Sequence, residues 1–225
     1  MHRQSPLLFF LLFFSIAFFF SPLNVFAASS RSGDSPESPK AVVERFHDSL
    51  LEAMKRADEL GLRGRFKFLA PRIEESFDQI RMIRVATGAT WRAANKKQRQ
   101  RLLDAFVRMS VGTYADQFNR YSGQSFKTVR ERQGPQKTIL LETKILNRNG
   151  GTEADLTYVL MAVKKRWRIV DILLDNTISQ LAVRRSEYRR ILKKDGIEGL
   201  IAALKAKADD LLKNSPGLPS SNPVR

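Results

Sequence analysis

The apolar residues of this chain change their spacing at Gly123. Before that position they recur every three or four residues, which is the pattern of amphipathic helices. After it they alternate, or they run together in short segments bounded by turn residues, which is the pattern of strands. When helices and strands occupy separate stretches of a chain, the helices usually pack on one side of an antiparallel sheet. The sequence therefore predicts an α+β fold.

Capping and turn residues predict three helices before Gly123. Ser38 followed by Pro39 is typical of a helix start, and Asn95 with Gln98 forms a capping-box pattern. Gly88 is a stop signal for the second helix. The predicted helices cover residues 39–61, 71–88 and 95–121, with a basic and aromatic connector at residues 63–70.

Four strands are predicted after Gly123, and Asn149-Gly150-Gly151 is a strong hairpin turn between two of them. Strict alternation would place Val170, Ile172 and Leu174 on one face of the fourth strand and Trp167 and Ile169 on the other. Two helices follow. The predicted strands cover residues 125–132, 137–147, 153–164 and 167–174, and the closing helices begin near residues 179 and 195.

Both ends of the chain differ in composition from the middle. An apolar stretch from Leu7 to Phe20 is followed by small residues, which predicts a signal peptide cleaved after Ala27 or Ala28. The alternative is a retained anchor, but the stretch is too short to span about 30 Å of hydrocarbon. The predicted segments are a signal peptide at 1–28, a disordered linker at 29–38, one domain at 39–213 and a disordered tail at 214–225.

The amino-acid composition limits the kinds of reactive or metal-binding site that this chain can form. The chain has no cysteine, so disulfides, thiolate metal sites and a cysteine nucleophile are excluded. It has only two histidines, His2 and His47. No phosphate-binding loop, nucleophile elbow or zinc motif is present, and no metal or cofactor is predicted. A cysteine-free exported chain fits a bacterial periplasm. His47 is interpreted as a residue on a helix face.

The net charge of +16 attracts polyanions. For an exported protein these are anionic lipid headgroups or acidic protein surfaces, and nucleic acid is not predicted as a partner. The basic residues are scattered over helix faces, so a solvated surface that serves solubility is the alternative.

Asp171 is the carboxylate that we consider as a catalytic group. It lies between Val170 and Ile172 in the fourth strand, where an apolar surrounding could raise the pKa of a general base. The simpler interpretation is that Asp171 pairs with a basic residue or caps backbone amides. Because the last two strands are apolar on both faces, the sheet must be covered on both sides or must enclose a ligand.

Many short segments share their order and spacing with one known family. They include residues 77–78, 82, 88–92, 98–99, 106, 114, 121, 167–175, 179, 184–189, 196–201 and 204. In these the chain resembles the MlaC family, also called toluene-tolerance proteins, from about Pro39 to Leu212. The segment Arg184-Arg185-Ser186 is similar to the hopanoid-associated HpnM-type branch. Asn176 departs from the family pattern, which usually has Gly there, but Asn tolerates a left-handed backbone.

The resemblance implies a cystatin-like cone in which helices pack on a curved four-stranded antiparallel sheet. It implies a periplasmic carrier that holds lipid tails between sheet and helices. The expected partners are a phospholipid or hopanoid ligand, an inner-membrane ABC transporter complex of the MCE type and an outer-membrane lipoprotein complex. The carrier is expected to be a monomer and not an enzyme.

Periodicity and the resemblance together predict the residues that line the lipid cavity. Because a one-residue slip exchanges the two faces of a strand, the strand assignments depend on register. Trp167 and Tyr188 are expected to anchor the fold. The alternatives are a hopanoid-specific carrier, a small cone-shaped enzyme that uses Asp171, and an adaptor without ligand. The predicted lining is Phe77, Ile80, Ile83, Phe106, Met109, Tyr114, Leu141, Tyr158, Leu160, Val170, Ile172 and Leu174.

Overall fold

The structure, a computed structural model, describes residues 37–213. The predicted signal peptide, residues 29–36 of the predicted linker and the predicted tail lie outside the described residues. Within residues 37–213, no helix combines the length and the apolar character needed to cross a membrane.

From residue 37 onward, where the structure describes the chain, five helices precede the sheet. Their bounds are α1 Pro39–Lys55, α2 Ala57–Ser76, α3 Gln79–Thr87, α4 Ala89–Ala93 and α5 Lys96–Gln117. Ser38 caps α1 by accepting a hydrogen bond from the Ala41 amide, and Asn95 with Gln98 forms the predicted capping box of α5. Trp91, predicted in a link, lies in the short α4.

The predicted connector at residues 63–70 is wrong, because this segment is part of α2. Leu62, Arg65, Leu69 and Ile73 are all buried and recur at helical spacing. The periodicity is hidden in the sequence because an arginine occupies one of the inward positions. Gly61 interrupts α2 near its start with φ 54° and ψ −177°, a conformation that essentially only glycine adopts.

The predicted second helix is divided at Phe77. This residue is extended and pairs with Ile169 of the sheet, and the Asp78 amide donates to the Ile169 carbonyl at 2.9 Å. Asp78 then caps α3 by accepting from the Arg81 amide. The break therefore attaches the helical layer to the sheet.

In the described part of the chain the sheet is an antiparallel meander of five strands in chain order, one more than predicted. The strands are β1 Ser125–Gln133, β2 Ile139–Leu146, β3 Thr152–Val163, β4 Arg166–Leu174 and β5 Ile178–Ser179. The two-residue β5 was missed because it is too short to show a period. Asn176, in the turn before it, has φ 58°, and its side chain accepts a hydrogen bond from Thr157.

A bulge in β4 overturns the predicted faces of that strand. Val159 pairs with Asp171 while Leu160 pairs with Ile169, so Val170 is an extra residue. Trp167 and Ile169 consequently pack in the same cluster as Ile172, on the side that faces the helices.

Two apolar clusters form the core. The sheet cluster lies between the sheet and α1, α2 and the second half of α5, and includes Phe46, Leu50 and Leu69. The helical cluster lies between α3, α5 and α6 Gln180–Lys213, and includes Ile83, Leu102 and Leu200. Gly196, with φ 64°, interrupts α6 close to the predicted division between the two closing helices.

Candidate functional site

The twelve predicted lining residues do not form one group. Six lie in or against the sheet cluster: Phe77, Tyr114, Leu141, Tyr158, Leu160 and Ile172. Three lie in the helical cluster: Ile83, Phe106 and Met109. Val170 is buried at the bulge, whereas Ile80 and Leu174 are 51% and 39% exposed. Ile80 points outward because the break at Phe77 resets the helical phase.

Aromatic rings dominate the sheet cluster. The Phe46 ring lies 5.0 Å from Phe77 and 5.4 Å from Tyr114, both edge to face, and Phe118 stacks on Tyr114 at 5.9 Å. Tyr114, Phe118 and Ile172 remain half-buried although they pack against the cluster. Such side chains offer apolar surface on which a ligand can pack. Phe46 and Phe118 were not among the predicted lining residues, since helical periodicity alone cannot separate a ligand wall from ordinary core.

His47 is buried in the wall of the sheet cluster. Its ring stacks on Phe126 at 4.0 Å, and its Nε2 lies 2.9 Å from the Tyr158 hydroxyl. Burial lowers the pKa of His47 to about 3 and raises the pKa of Tyr158, so both groups are neutral at physiological pH. The pair therefore adds a hydrogen bond to the wall without adding charge.

A cleft of about 1090 Å³ opens between the α1–α2 junction, the end of α5 and the end of α6. Its apolar residues include Met54, Leu62 and Leu212. Leu62 belongs to the sheet cluster and Leu212 packs against it, so the floor of the cleft is the edge of that cluster. A volume of this size lies just above the usual range of about 300–1,000 Å³ for small-molecule sites.

The rim of the cleft is mostly basic. Its exposed charged residues are Lys55, Asp58, Arg63, Arg120 and Lys213, of which only Asp58 is acidic. These residues come from three separate parts of the chain, so no motif in the sequence could have identified the cleft. The rim is suited to an anionic group and the floor to hydrocarbon.

Arg65 holds one wall of the cleft. Arg65 is only 6% exposed, and its guanidinium donates to the carbonyls of Ala115 and Ala57, each at 2.9 Å. Burial lowers the pKa of Arg65, and the charges of Asp116 and Asp58 partly oppose this. Arg65 therefore ties the start of α2 to the end of α5 and keeps the cleft's shape.

Asp171 is a capping residue in this structure. Its carboxylate accepts hydrogen bonds from the amides of Ile172 and Leu181 and from the Ser179 hydroxyl. These bonds attach the start of α6 to β4. The geometry matches the simpler of the two interpretations, in which Asp171 binds backbone amides. Within residues 37–213 no group of three or more His, Asp or Glu side chains is arranged to hold a metal ion.

A family model described as MlaC protein matches residues 44–206. The chain belongs to the MlaC family. The resemblance to this family is thereby confirmed over most of the described domain, whereas the similarity to the HpnM-type branch stays a prediction.

The fold of the family is also found in a solved structure. A phospholipid-binding protein from Ralstonia solanacearum, determined in complex with a phospholipid, matches with a TM-score of 0.67 and 21% sequence identity. The match covers 78% of this chain and 99% of that chain. At this level of identity the likeness shows that the two proteins share a fold.

Proposed function

We propose that this protein is a lipid carrier that shields lipid tails against the sheet cluster and brings them in through the cleft. The observation that carries the proposal is the large cleft with an apolar floor and a basic rim. Membership of the MlaC family and a fold shared with a phospholipid-binding protein support it. No covalent chemistry is part of the proposed function.

The energetics indicate what such a carrier must provide. Exposing hydrocarbon to water costs about 0.8 kcal/mol per methylene, so a sixteen-carbon tail costs roughly 13 kcal/mol. The half-buried apolar side chains around Tyr114 and Phe118 supply surface that can cover such a tail. A lipid tail that enters between these side chains and their present neighbours would extend the cleft into the sheet cluster.

The location and partners follow from the predicted signal peptide and the family. We propose that the mature chain works in the periplasm as a monomer. It would exchange lipid between an inner-membrane ABC transporter complex of the MCE type and an outer-membrane lipoprotein complex. The ligand in this proposal is a phospholipid, and a hopanoid carried by the same fold is the alternative.

Native mass spectrometry of gently purified protein tests the proposal. We expect a population of the mature chain to carry lipid, and the mass of the extracted lipid separates phospholipid from hopanoid. Leu212→Glu places a charge on the floor of the cleft and should reduce the loaded fraction strongly. Val129→Glu is the control, because Val129 is 50% exposed on β1. Lipid-free protein in repeated preparations, or equal loading of both variants, would contradict the proposal.

The basic rim predicts docking on anionic membranes. Vesicles that contain phosphatidylglycerol should bind the protein at low salt and release it as salt rises, because screening shortens the range of exposed charges. The double variant Arg63→Gln with Arg120→Gln should weaken binding more than a double variant that removes Lys96 and Lys97 at the far end of α5. Equal weakening would indicate that net charge, and not the rim, directs docking.

A further inference from the structure

A second concave surface, the α6 recess, lies between the junction of α3 with α4 and the first half of α6. Its volume is about 420 Å³, and it shares no lining residue with the cleft. Its charged residues are Arg185, Arg189 and Lys193, all exposed, and none of its lining residues is acidic. Ala86 and Leu192 give it a small apolar part. The α6 recess therefore presents three cations around a concave surface.

The three cations form one row along α6. Arg185, Arg189 and Lys193 are spaced four residues apart, so their side chains lie on the same face of the helix. At a rise of 1.5 Å per residue the row extends about 12 Å. Like charges at this spacing repel one another and destabilise a helix. An anionic partner with several charges would relieve this repulsion.

No carboxylate among residues 37–213 forms an ion pair with the row. The ion pairs that α6 makes in this part of the chain use Glu198 and Asp209, which bind arginines of α5. Glu187 lies two residues from both Arg185 and Arg189, and residues two apart do not face each other on a helix. The row is therefore available to a partner from outside the described chain.

The wall opposite the row is made of small residues. Gly88, in the turn between α3 and α4, has φ 53°, and a carbon added to it would have no atom within 4 Å. Ala89 is exposed and Thr90 is half-buried. Because no large side chain from this wall fills the recess, there is room beside α6 for a rod-shaped segment.

We infer that the α6 recess docks an acidic helix of a partner protein. Carboxylates at positions i, i+4 and i+8 of such a helix form a row with the same repeat and the same length of about 12 Å. Carboxylates also fit the planar fork of the two arginines. A protruding helix reaches into a recess better than a flat bilayer does, and mobile headgroups offer no fixed spacing. The inference goes beyond the carrier function, because it concerns a surface separate from the cleft.

Fluorescence anisotropy with labelled peptides tests the inference on the mature protein. Two alanine-rich peptides of about 20 residues, long enough to form a helix, carry three glutamates each. In the row peptide the glutamates are four residues apart, and in the scattered peptide they point to different sides of the helix. We expect the row peptide to bind about tenfold more tightly, because only its geometry lets three ion pairs form together. Its affinity should fall as the ionic strength rises.

Matched variants separate the row from overall charge. Arg189→Gln with Lys193→Gln should weaken the row peptide about tenfold. Arg190→Gln with Lys194→Gln is the control, because it removes one arginine and one lysine from the next positions, which are exposed and outside the recess. This control should change the affinity by less than about threefold, since exposed charges are screened. Ala89→Tyr fills the recess without changing the charge and should also weaken the row peptide.

Several results would overturn the inference. If both double variants weaken the row peptide to the same extent, overall charge attracts it. If the two peptides bind equally well, or neither binds at low ionic strength, the recess does not recognise an acidic helix. If Arg189→Gln with Lys193→Gln weakens binding to phosphatidylglycerol vesicles and not to the row peptide, the surface binds membranes.

Lipid loading separates this inference from the carrier function. Native mass spectrometry should show the same loaded fraction in both double variants and in Ala89→Tyr, because none of the changed residues lines the cleft. A loss of loading confined to Arg189→Gln with Lys193→Gln would assign these residues to lipid binding and overturn the inference. A protein that binds the row peptide but carries no lipid would contradict the carrier function alone.

Discussion

The stability of this protein should depend on pH mainly through His47 between about pH 5 and pH 7.5. His47 is the only histidine left after the predicted loss of the signal peptide. Its pKa is lowered from 6.5 to about 3 by burial. The experiment therefore changes the pH, and the variant His47→Gln removes the titrating group.

The magnitude follows from proton linkage. As the pH falls below 6.5 the unfolded chain binds a proton at His47, whereas the folded chain stays neutral there until about pH 3. The unfolded state is thus favoured progressively as the pH falls, by about 1.4 kcal/mol per pH unit. Between pH 7.5 and pH 5.0 the free energy of unfolding should fall by about 2 kcal/mol, and above about pH 7.5 the loss is negligible.

Urea unfolding followed by tryptophan fluorescence measures this change. The slope with urea must stay constant across the pH series, so that the midpoint reports stability. His47→Gln should have a lower but flat stability over the same window. Tyr158→Phe should keep the pH dependence, because His47 remains buried without its hydrogen bond. Parallel pH profiles of the unchanged protein and His47→Gln would refute the reasoning.

Three further predictions concern stability and use the same urea assay. Phe46→Ala should cost about 3–5 kcal/mol, since Phe46 is fully buried among aromatic rings; a loss below about 1 kcal/mol would show that the cluster is loosely packed. Gly196→Ala should cost about 1–3 kcal/mol because of the positive φ at this residue. Gly112→Ala should be neutral or stabilise by up to about 1 kcal/mol, as the added carbon would lie 3.6 Å from Leu211. The reverse order of the two variants would contradict the backbone argument. Asp171→Asn should cost about 1–2 kcal/mol and leave lipid loading unchanged, and loss of a measurable turnover would restore the enzyme hypothesis.

The local features that start helices, form turns and separate helices from strands were predictable from the sequence. The change of period at Gly123, the capping box at Asn95 and the hairpin at Asn149-Gly150-Gly151 depend on residues close together in the chain. The family was also predictable, because the order of many short segments carries it. These features can be predicted without knowing which segments of the chain pack against each other.

The errors have a common cause. Residues 63–70 did not look helical because the inward position is Arg65, and an arginine is stable there only where carbonyls of two helices receive its hydrogen bonds. The faces of β4 were misassigned because a bulge at Val170 can be seen only from the pairing with β3. The exposed position of Ile80 could not be foreseen either, because it follows from the break at Phe77, which depends on a hydrogen bond to the sheet.

The candidate site belongs almost wholly to tertiary structure. The sequence by itself determined that the chain has an α+β fold, that no cysteine chemistry operates and that the net charge is strongly positive. Only the packed structure decided that Lys55, Arg63, Arg120 and Lys213 surround one cleft. Local patterns specify helices and strands because backbone hydrogen bonds and turns span few residues. A binding site requires surfaces from distant segments, and packing alone brings them together.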